Sequence, residues 1–315
     1  MVDKSSLGDG EGSTSPKALL GPVEIRDLAN RLGVRPTKKL GQNFVHDAAT
    51  VRMIVREAGV NAGDAVLEVG PGLGSLTLGL LETGAYLSAV EIDPVLAGAL
   101  ETTVATHQGA HRDNFALLRS DALKISSAAD FAVPSAWGES EYQPRFLVAN
   151  LPYNVSVPIL LNLLEVIPSI ERATVMVQSE VADRLAAEPG SRTYGVPSVK
   201  AAWYGRVWRG SKVSRQVFWP IPNVDSALVH FERVPRESGT EGVSRERVFA
   251  VIDAAFSQRR KTLRAALASW AGSAADAESV LRAAGVDPSL RGEKLQLADF
   301  VAIAKAAKGM LGGAE

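Results

Sequence analysis

The chain runs to 315 residues, 46% of them apolar and 22% charged, with a formal net charge of −1. That is enough chain for two domains, in the composition of an ordinary globular protein and not of one that coats nucleic acid indiscriminately. With no cysteine, four histidines at no ligand spacing (His46, His107, His111, His230) and no apolar run of about 18 residues, disulfides and thiolate sites are excluded, neither a metal nor a membrane span is expected, and a reducing, cytoplasmic location fits.

The first sixteen residues are rich in Gly, Ser and acid and lack the basic-then-apolar order of a signal peptide, so residues 1–20 are expected to be a disordered tail. Val23, Ile25, Leu28 and Leu32 repeat at helical spacing and Gly33 ends the run. Residues 35–47 are polar and basic, as a surface loop is; a loop carrying Asn43 and Phe44 can also close over a cofactor or touch RNA. A helix is expected over 48–59 and a buried strand over 65–70, running into Gly70-Pro-Gly72-Leu-Gly74 and a helical stretch, 75–82. Glycines at such a turn admit close approach of a ligand to the backbone. The next strand, 86–92, ends at Glu91, 21 residues after Gly70, the spacing at which an acid takes ribose hydroxyls. Turn, strand and acid in this order point to a nucleoside-containing cofactor. They do not by themselves separate a dinucleotide from S-adenosylmethionine, although Gly-x-Gly-x-Gly weakens the pyrophosphate case.

A third strand, 115–119, precedes Asp121, which is placed either to accept from a cofactor adenine or to cap a helix. Residues 126–144 read as irregular. The fourth strand, 146–149, ends in Asn150-Leu-Pro-Tyr153, and its chemistry suits a flat base with an exocyclic amine. The N6 of adenine is a poor nucleophile because its lone pair is delocalised. Two acceptors, the Asn150 side-chain oxygen and the Leu151 carbonyl, can bind its two hydrogens and localise that pair. Pro152 stiffens the backbone and Tyr153 offers a stacking face. The plainer reading is a strand end closed by a turn with a core tyrosine.

An apolar helix is expected over 157–167, a fifth strand over 173–177, and two more over 203–213 and 226–234, joined through Phe218-Trp-Pro-Ile-Pro-Asn-Val-Asp-Ser226. Phe218 is a candidate second face for the base, or packing. Between residues 189 and 224 stand six basic residues (Arg192, Lys200, Arg206, Arg209, Lys212, Arg215) and no acid, which suggests a phosphate-facing surface. Residues 235–245 read as a linker, after which only helical spacing survives, over 248–257, 262–270, 275–284 and 297–308. Arg259-Arg260-Lys261 is expected at a helix start, where cations oppose the helix dipole and a phosphate partner is the more economical account. The domains are therefore drawn as a tail (1–20), a catalytic α/β domain (21–234), a linker (235–245) and a helical RNA-binding domain (246–315).

Taken together, Lys39-Leu-Gly-Gln-Asn-Phe-Val-His-Asp47, Leu67-Glu-Val-Gly-Pro-Gly-Leu-Gly74, Glu91-Ile-Asp93, Asn150-Leu-Pro-Tyr153 and the run 218–226 resemble the ribosomal RNA adenine N6-dimethyltransferases, in particular the bacterial small-subunit (KsgA/RsmA-type) enzymes. The resemblance implies a Rossmann-like, mostly parallel sheet with one antiparallel strand near the edge, and a smaller helical C-terminal domain. It implies S-adenosylmethionine as cofactor, and 16S rRNA in the immature small subunit as partner, methylated at two adjacent adenines of the 3′-terminal hairpin. No membrane or metal partner is expected, and a monomer is. By the same resemblance Asn43, Val45, Gly70 and Gly72 border the cofactor, Glu91 holds its ribose, Asp121 meets its adenine, Asn150 stands between both substrates, and Tyr153 and Phe218 flank the target base. Arg192, Lys200, Arg206, Arg259, Arg260 and Lys261 are the candidate RNA contacts. Val45 stands where the family usually has Leu, and Ser179 where it often has Lys, which puts a charge-based role at 179 in doubt. A large-subunit (macrolide-resistance type) rRNA dimethyltransferase, a DNA adenine methylase and a non-enzymatic assembly factor remain alternatives.

Overall fold

A computed structural model describes residues 18–34, 42–138, 140–234 and 242–310. The expected tail up to residue 17, basic residues 35–41 and the first part of the expected linker, 235–241, lie outside the described residues. Helix α1 (Pro22–Arg31) starts on a proline, which is tolerated in a first turn, and buries Ile25 and Ala29. A two-residue strand β1 (Phe44–Val45) leads to α2 (Ala48–Ala58), whose N-cap Asp47 accepts from the Thr50 amide at 2.7 Å. Gly59, at φ 68°, ends that helix in the left-handed conformation.

From there strands and helices alternate: β2 (Ala65–Val69), α3 (Ser75–Leu81), β3 (Tyr86–Glu91), α4 (Pro94–His107), β4 (Phe115–Arg119), β5 (Phe146–Asn150), α5 (Ser156–Val166) and β6 (Arg172–Gln178). There follow α6 (Ser179–Leu185), α7 (Val196–Ala202), β7 (Gly205–Val213), β8 (Phe218–Trp219) and β9 (Ser226–Arg233). Seven strands form one sheet in the order β4-β3-β2-β5-β6-β9-β7. Strand β9 is antiparallel to both neighbours, β6 and β7, and the remaining pairs are parallel, as the resemblance implies. Side chains alternate between two apolar clusters, one per face. Val66, Val148, Met176 and Leu228 join one with α2 and α3, while Leu67, Leu147, Val175 and Val229 join the other with α5 and α7.

The helices beyond the linker are α8 (Arg245–Ser257), α9 (Leu263–Ala266), α10 (Ala268–Ala271), α11 (Ala274–Ala283) and α12 (Leu297–Met310). The single helix expected over 262–270 is thus two short ones. Helix α4 covers a stretch to which the sequence reading assigns no element. Strand β7 starts two residues later than expected, because α7 runs on to Ala202 and the Tyr204 amide still bonds the Ala201 carbonyl.

The C-terminal helices do not hang from a tether. Val248, Val251, Val280 and Phe300 belong to the same apolar cluster as Leu163 of α5 and Val199 of α7. Polar staples reinforce the contact: Lys200 Nζ pairs with Asp253 at 2.8 Å and lies over the Phe249 ring, and Arg245 reaches Glu165 at 3.3 Å and the Tyr204 hydroxyl at 3.2 Å. Phe300 of α12 is fully buried in the same cluster, its ring 6.1 Å from that of Phe256 in α8. Phe300→Ala is expected to cost about 3–5 kcal/mol of stability, read by denaturant unfolding, and a loss below about 1 kcal/mol would mean the C-terminal helices are loosely packed.

Candidate active site

The carboxyl ends of β2, β3, β4 and β5 open on one cavity at the point where the strand order reverses, the usual ligand position in such sheets. Gly70, Gly72 and Gly74 turn the chain from β2 into α3 with φ of 68°, 59° and 98°, which side-chain-bearing residues rarely adopt. A Cβ on Gly72 would come within 2.9 Å of the Phe44 ring. The turn therefore allows close approach twice, to the cavity and to the strap above it.

That strap is the segment 42–45, expected as a loop. In the structure Phe44 and Val45 pair antiparallel with Trp219 and Phe218 of β8. The strap is tied to the cavity wall at three further points. Gln42 Nε2 donates to Asp93 Oδ2 at 3.1 Å, Asn150 Nδ2 donates to the Asn43 carbonyl at 3.1 Å, and Ser75 Oγ donates to the Val45 carbonyl at 2.5 Å. The second bond orients the carboxamide. A carbonyl oxygen can only accept, and the NH2 is the only donor a carboxamide has, so Nδ2 must face Asn43 and Oδ1 is the end left as an acceptor.

Two carboxylates brace the floor. Glu91 accepts from the Gly72 amide at 3.0 Å through one oxygen and from the Asp93 amide at 2.9 Å through the other. Burial pushes its pKa up, opposed by those amide bonds. Each oxygen keeps a second lone pair, so the group can still accept from a ribose hydroxyl. Glu68, in the middle of β2, is only 1% exposed and bonds Thr77 Oγ1 at 2.7 Å. Burial, with a smaller push from the Glu91 charge and a counteracting Thr77 bond, raises its pKa to about 8. Sequence reasoning passed over Glu68; the signal was an acid in an otherwise apolar strand. Asp121 borders the cavity and caps its own turn, accepting from the Leu123 amide at 3.0 Å, as the capping reading expects.

Asn43, Val45, Gly70, Gly72, Glu91, Asp121 and residues 150–153 all line this cavity. Phe218 does not. It is fully buried, because β1 lies across it and its ring joins the apolar cluster with Val45, Leu76 and Leu228. Of its two readings the structure shows the packing one, and no face of the 218 ring is presented to the cavity. The donors and acceptors present fit S-adenosylmethionine: carboxylates at the ends of β3 and β4, a glycine turn beside them and a carboxamide opposite.

The basic candidates divide. Four of the six cations in the acid-free run are paired with acids supplied from elsewhere: Lys200 with Asp253, Arg206 with Glu232, Arg209 with Asp183 and Lys212 with Asp225. Arg209 also donates to Ser179 Oγ at 2.9 Å, so a guanidinium stands beside the position where the family often carries lysine. Arg259 is engaged by Glu293 at 3.3 Å and by the Arg192 and Tyr194 carbonyls. Residues 259–261 lie between α8, which ends at Ser257, and the four-residue α9, whose N-cap is Thr262, so they precede a helix start as expected, but the dipole of the longer α8 favours cations here and dipole opposition alone does not argue for a phosphate partner. Arg192, Arg260 and Lys261 are exposed.

Between about pH 4.5 and 8 the folded chain holds a proton on Glu68 that the unfolded chain releases, so stability falls as pH rises through that window. Glu68→Gln removes the dependence while keeping a bond to Thr77. Its melting temperature, measured without ligand across pH, is expected to gain on the parent through the window and to run parallel above about 8; a constant gap would show Glu68 already ionised.

The ribosomal RNA adenine dimethylase family model matches residues 34–308. A protein of Streptomyces avermitilis named ribosomal RNA small subunit methyltransferase A is 59% identical over 293 residues, covering 93% of this chain and 95% of its own. The protein of the same name from Thermobifida fusca is 56% identical over 295 residues, 94% and 98% of the two chains. Among solved structures, the 23S rRNA methyltransferase ErmE superposes with TM-score 0.58 at 25% identity, over 84% of this chain and 98% of that one. A dimethyladenosine transferase from Plasmodium falciparum shares the fold, with TM-score 0.67 at 22% identity over the same shares of the two chains. On the family match, and on relatives that are more than half identical over nearly their whole length, the chain belongs to the ribosomal RNA adenine dimethylases.

Proposed function

We propose that Asn150 and Leu151 hold the amine of the target adenine, that Tyr153 walls the base, and that the targets are two adjacent adenines in the 3′-terminal hairpin of 16S rRNA in the immature small subunit. The enzyme is an S-adenosylmethionine-dependent adenine dimethyltransferase acting on small-subunit rRNA. The observation that carries our residue assignment is the bond from the Asn150 carboxamide nitrogen to the Asn43 carbonyl, which reserves Oδ1 as an acceptor.

S-adenosylmethionine supplies an electrophilic methyl group on a sulfonium. The protein's task is to present N6 with its lone pair free for attack. Asn150 Oδ1 and the Leu151 carbonyl accept the two N6 hydrogens and draw that pair out of the ring. Pro152 stiffens the backbone that carries both acceptors, and Gly70 lies against it: a Cβ there would be 3.8 Å from the Asn150 carbonyl and from the Pro152 ring. Positioning and exclusion of water do the catalytic work, and no strong base is needed because the amine sheds its proton after alkylation. Readmitting the monomethylated base requires room beside Asn150.

The RNA backbone is assigned to the exposed cations Arg192, Arg260 and Lys261, and residues 246–315 to an RNA-facing helical domain. Arg259, Lys200 and Arg206 contribute by holding that surface together, since each is already engaged within the protein.

Asn150→Ala is expected to lower methyl transfer to small-subunit particles by about 100-fold or more while cofactor affinity changes little. Mass spectrometry for dimethyladenosine in small-subunit rRNA, alongside calorimetric cofactor binding, reads both. Equal loss of transfer and of binding would reject the amine-holding role, and product on naked large-subunit RNA would reject the proposed target.

A further inference from the structure

The tip of Tyr153 is tied down by a residue with no role in the scheme above. Its hydroxyl lies 2.8 Å from Ser226 Oγ, across 73 residues of sequence. Ser226 opens β9, is fully buried, and is held between Gln178 of β6 and Val213 of β7. It is the small polar residue heading the apolar run Ala227-Leu-Val229, level with Gln178 at the carboxyl end of β6. Tyr153 itself lines the cavity. Its root is set by a tight turn in which the Val155 amide bonds the Pro152 carbonyl at 3.2 Å.

An aromatic ring fixed only at Cβ can swing about χ1 and turn about a broad χ2. One hydrogen bonded at its tip to a rigid strand has a single orientation. We propose that Ser226 is a positioning residue for methyl transfer: it anchors the Tyr153 hydroxyl so that the ring is a fixed wall of the target-base site. The inference rests on the reading of Tyr153 as that wall. A wall matters most in the second transfer, where the amine already carries a methyl group and must be presented in one rotamer beside Asn150. Loss of the tether therefore slackens the second step more than the first. A displacement of about 1 Å at such a site is enough to cost rate.

The test uses the full chain on small-subunit particles with four variants, Tyr153→Phe, Ser226→Ala, Ser226→Thr and Tyr153→Ala. Tyr153→Phe keeps the ring and removes only the tether, so it decides the matter even if Ser226→Ala folds poorly. Tyr153→Phe and Ser226→Ala are each expected to lower kcat by about 3- to 10-fold, the worth of one hydrogen bond. Both should leave cofactor affinity within about twofold, as expected for a group that does not touch the cofactor. Monomethyladenosine should accumulate in both. The double variant should be no slower than either single one, and Ser226→Thr should restore rate and product ratio. Parental kcat and parental mono- to dimethyl ratio in Tyr153→Phe, with Tyr153→Ala inactive, would overturn the role of Ser226 while leaving the wall intact. An active Tyr153→Ala would instead remove the wall itself. Additive losses in the double variant would show two independent packing effects and also overturn the tether.

Discussion

A carboxamide presents a donor at one end and an acceptor at the other, and once the donor end is bonded the acceptor end is no longer free to choose. Asn150 is in that state, its nitrogen held by the carbonyl of Asn43, 107 residues earlier in the chain. Much of the site can be understood as the machinery that keeps this one carbonyl in place. Ser75 grips the next carbonyl but one, Gln42 reaches Asp93, and β1 pairs with β8. The Phe44 ring rests over Gly72, where a side chain would collide with it. The strap touches the glycine turn on the cofactor side and the catalytic turn on the base side, so the geometry of one half of the site is shared with the other.

Electrostatics beneath the strap follow the same economy. Glu91 uses one lone pair of each oxygen to hold backbone amides and so fixes the glycine turn that the cofactor must approach. A second acid, Glu68, lies close enough for its pKa to feel that charge and is too buried to be ionised at little cost; it stays protonated to about pH 8. Two carboxyl groups in one floor are thus held differently: two N–H donors oppose the upward push of burial on Glu91, whereas Glu68 is met by a single hydroxyl.

The acid-free stretch from 189 to 224 shows how tertiary structure reassigns charge. A run of six cations without an acid looks like a nucleic-acid surface in one dimension. Folding brings Asp183, Asp225, Glu232 and Asp253 to four of them, and the pairs hold strands and helices to one another. Exposed pairs of this kind contribute little stability each, but Lys200, half wrapped by Phe249, and Arg259, bound to two carbonyls, lie at the seam between sheet and helices and define where the exposed cations stand.

What the sequence determined by itself was everything written locally: the alternating elements and their apolar periods, the glycine turn, and the strand ends carrying Glu91, Asp121 and Asn150. These are legible because propensity, periodicity and turn chemistry act over a few residues. Even the single antiparallel strand and the family followed from motifs in a fixed order. What only the tertiary structure decided were the long-range partnerships. No local pattern announces that Asn150 answers to Asn43, that Tyr153 answers to Ser226, that Phe218 is covered by a strap 173 residues earlier, or that α8 to α12 complete the sheet's own core. Sequence spacing measures distance along the chain, whereas a hydrogen bond or a buried contact depends on distance in space, and only the folded sheet converts one into the other.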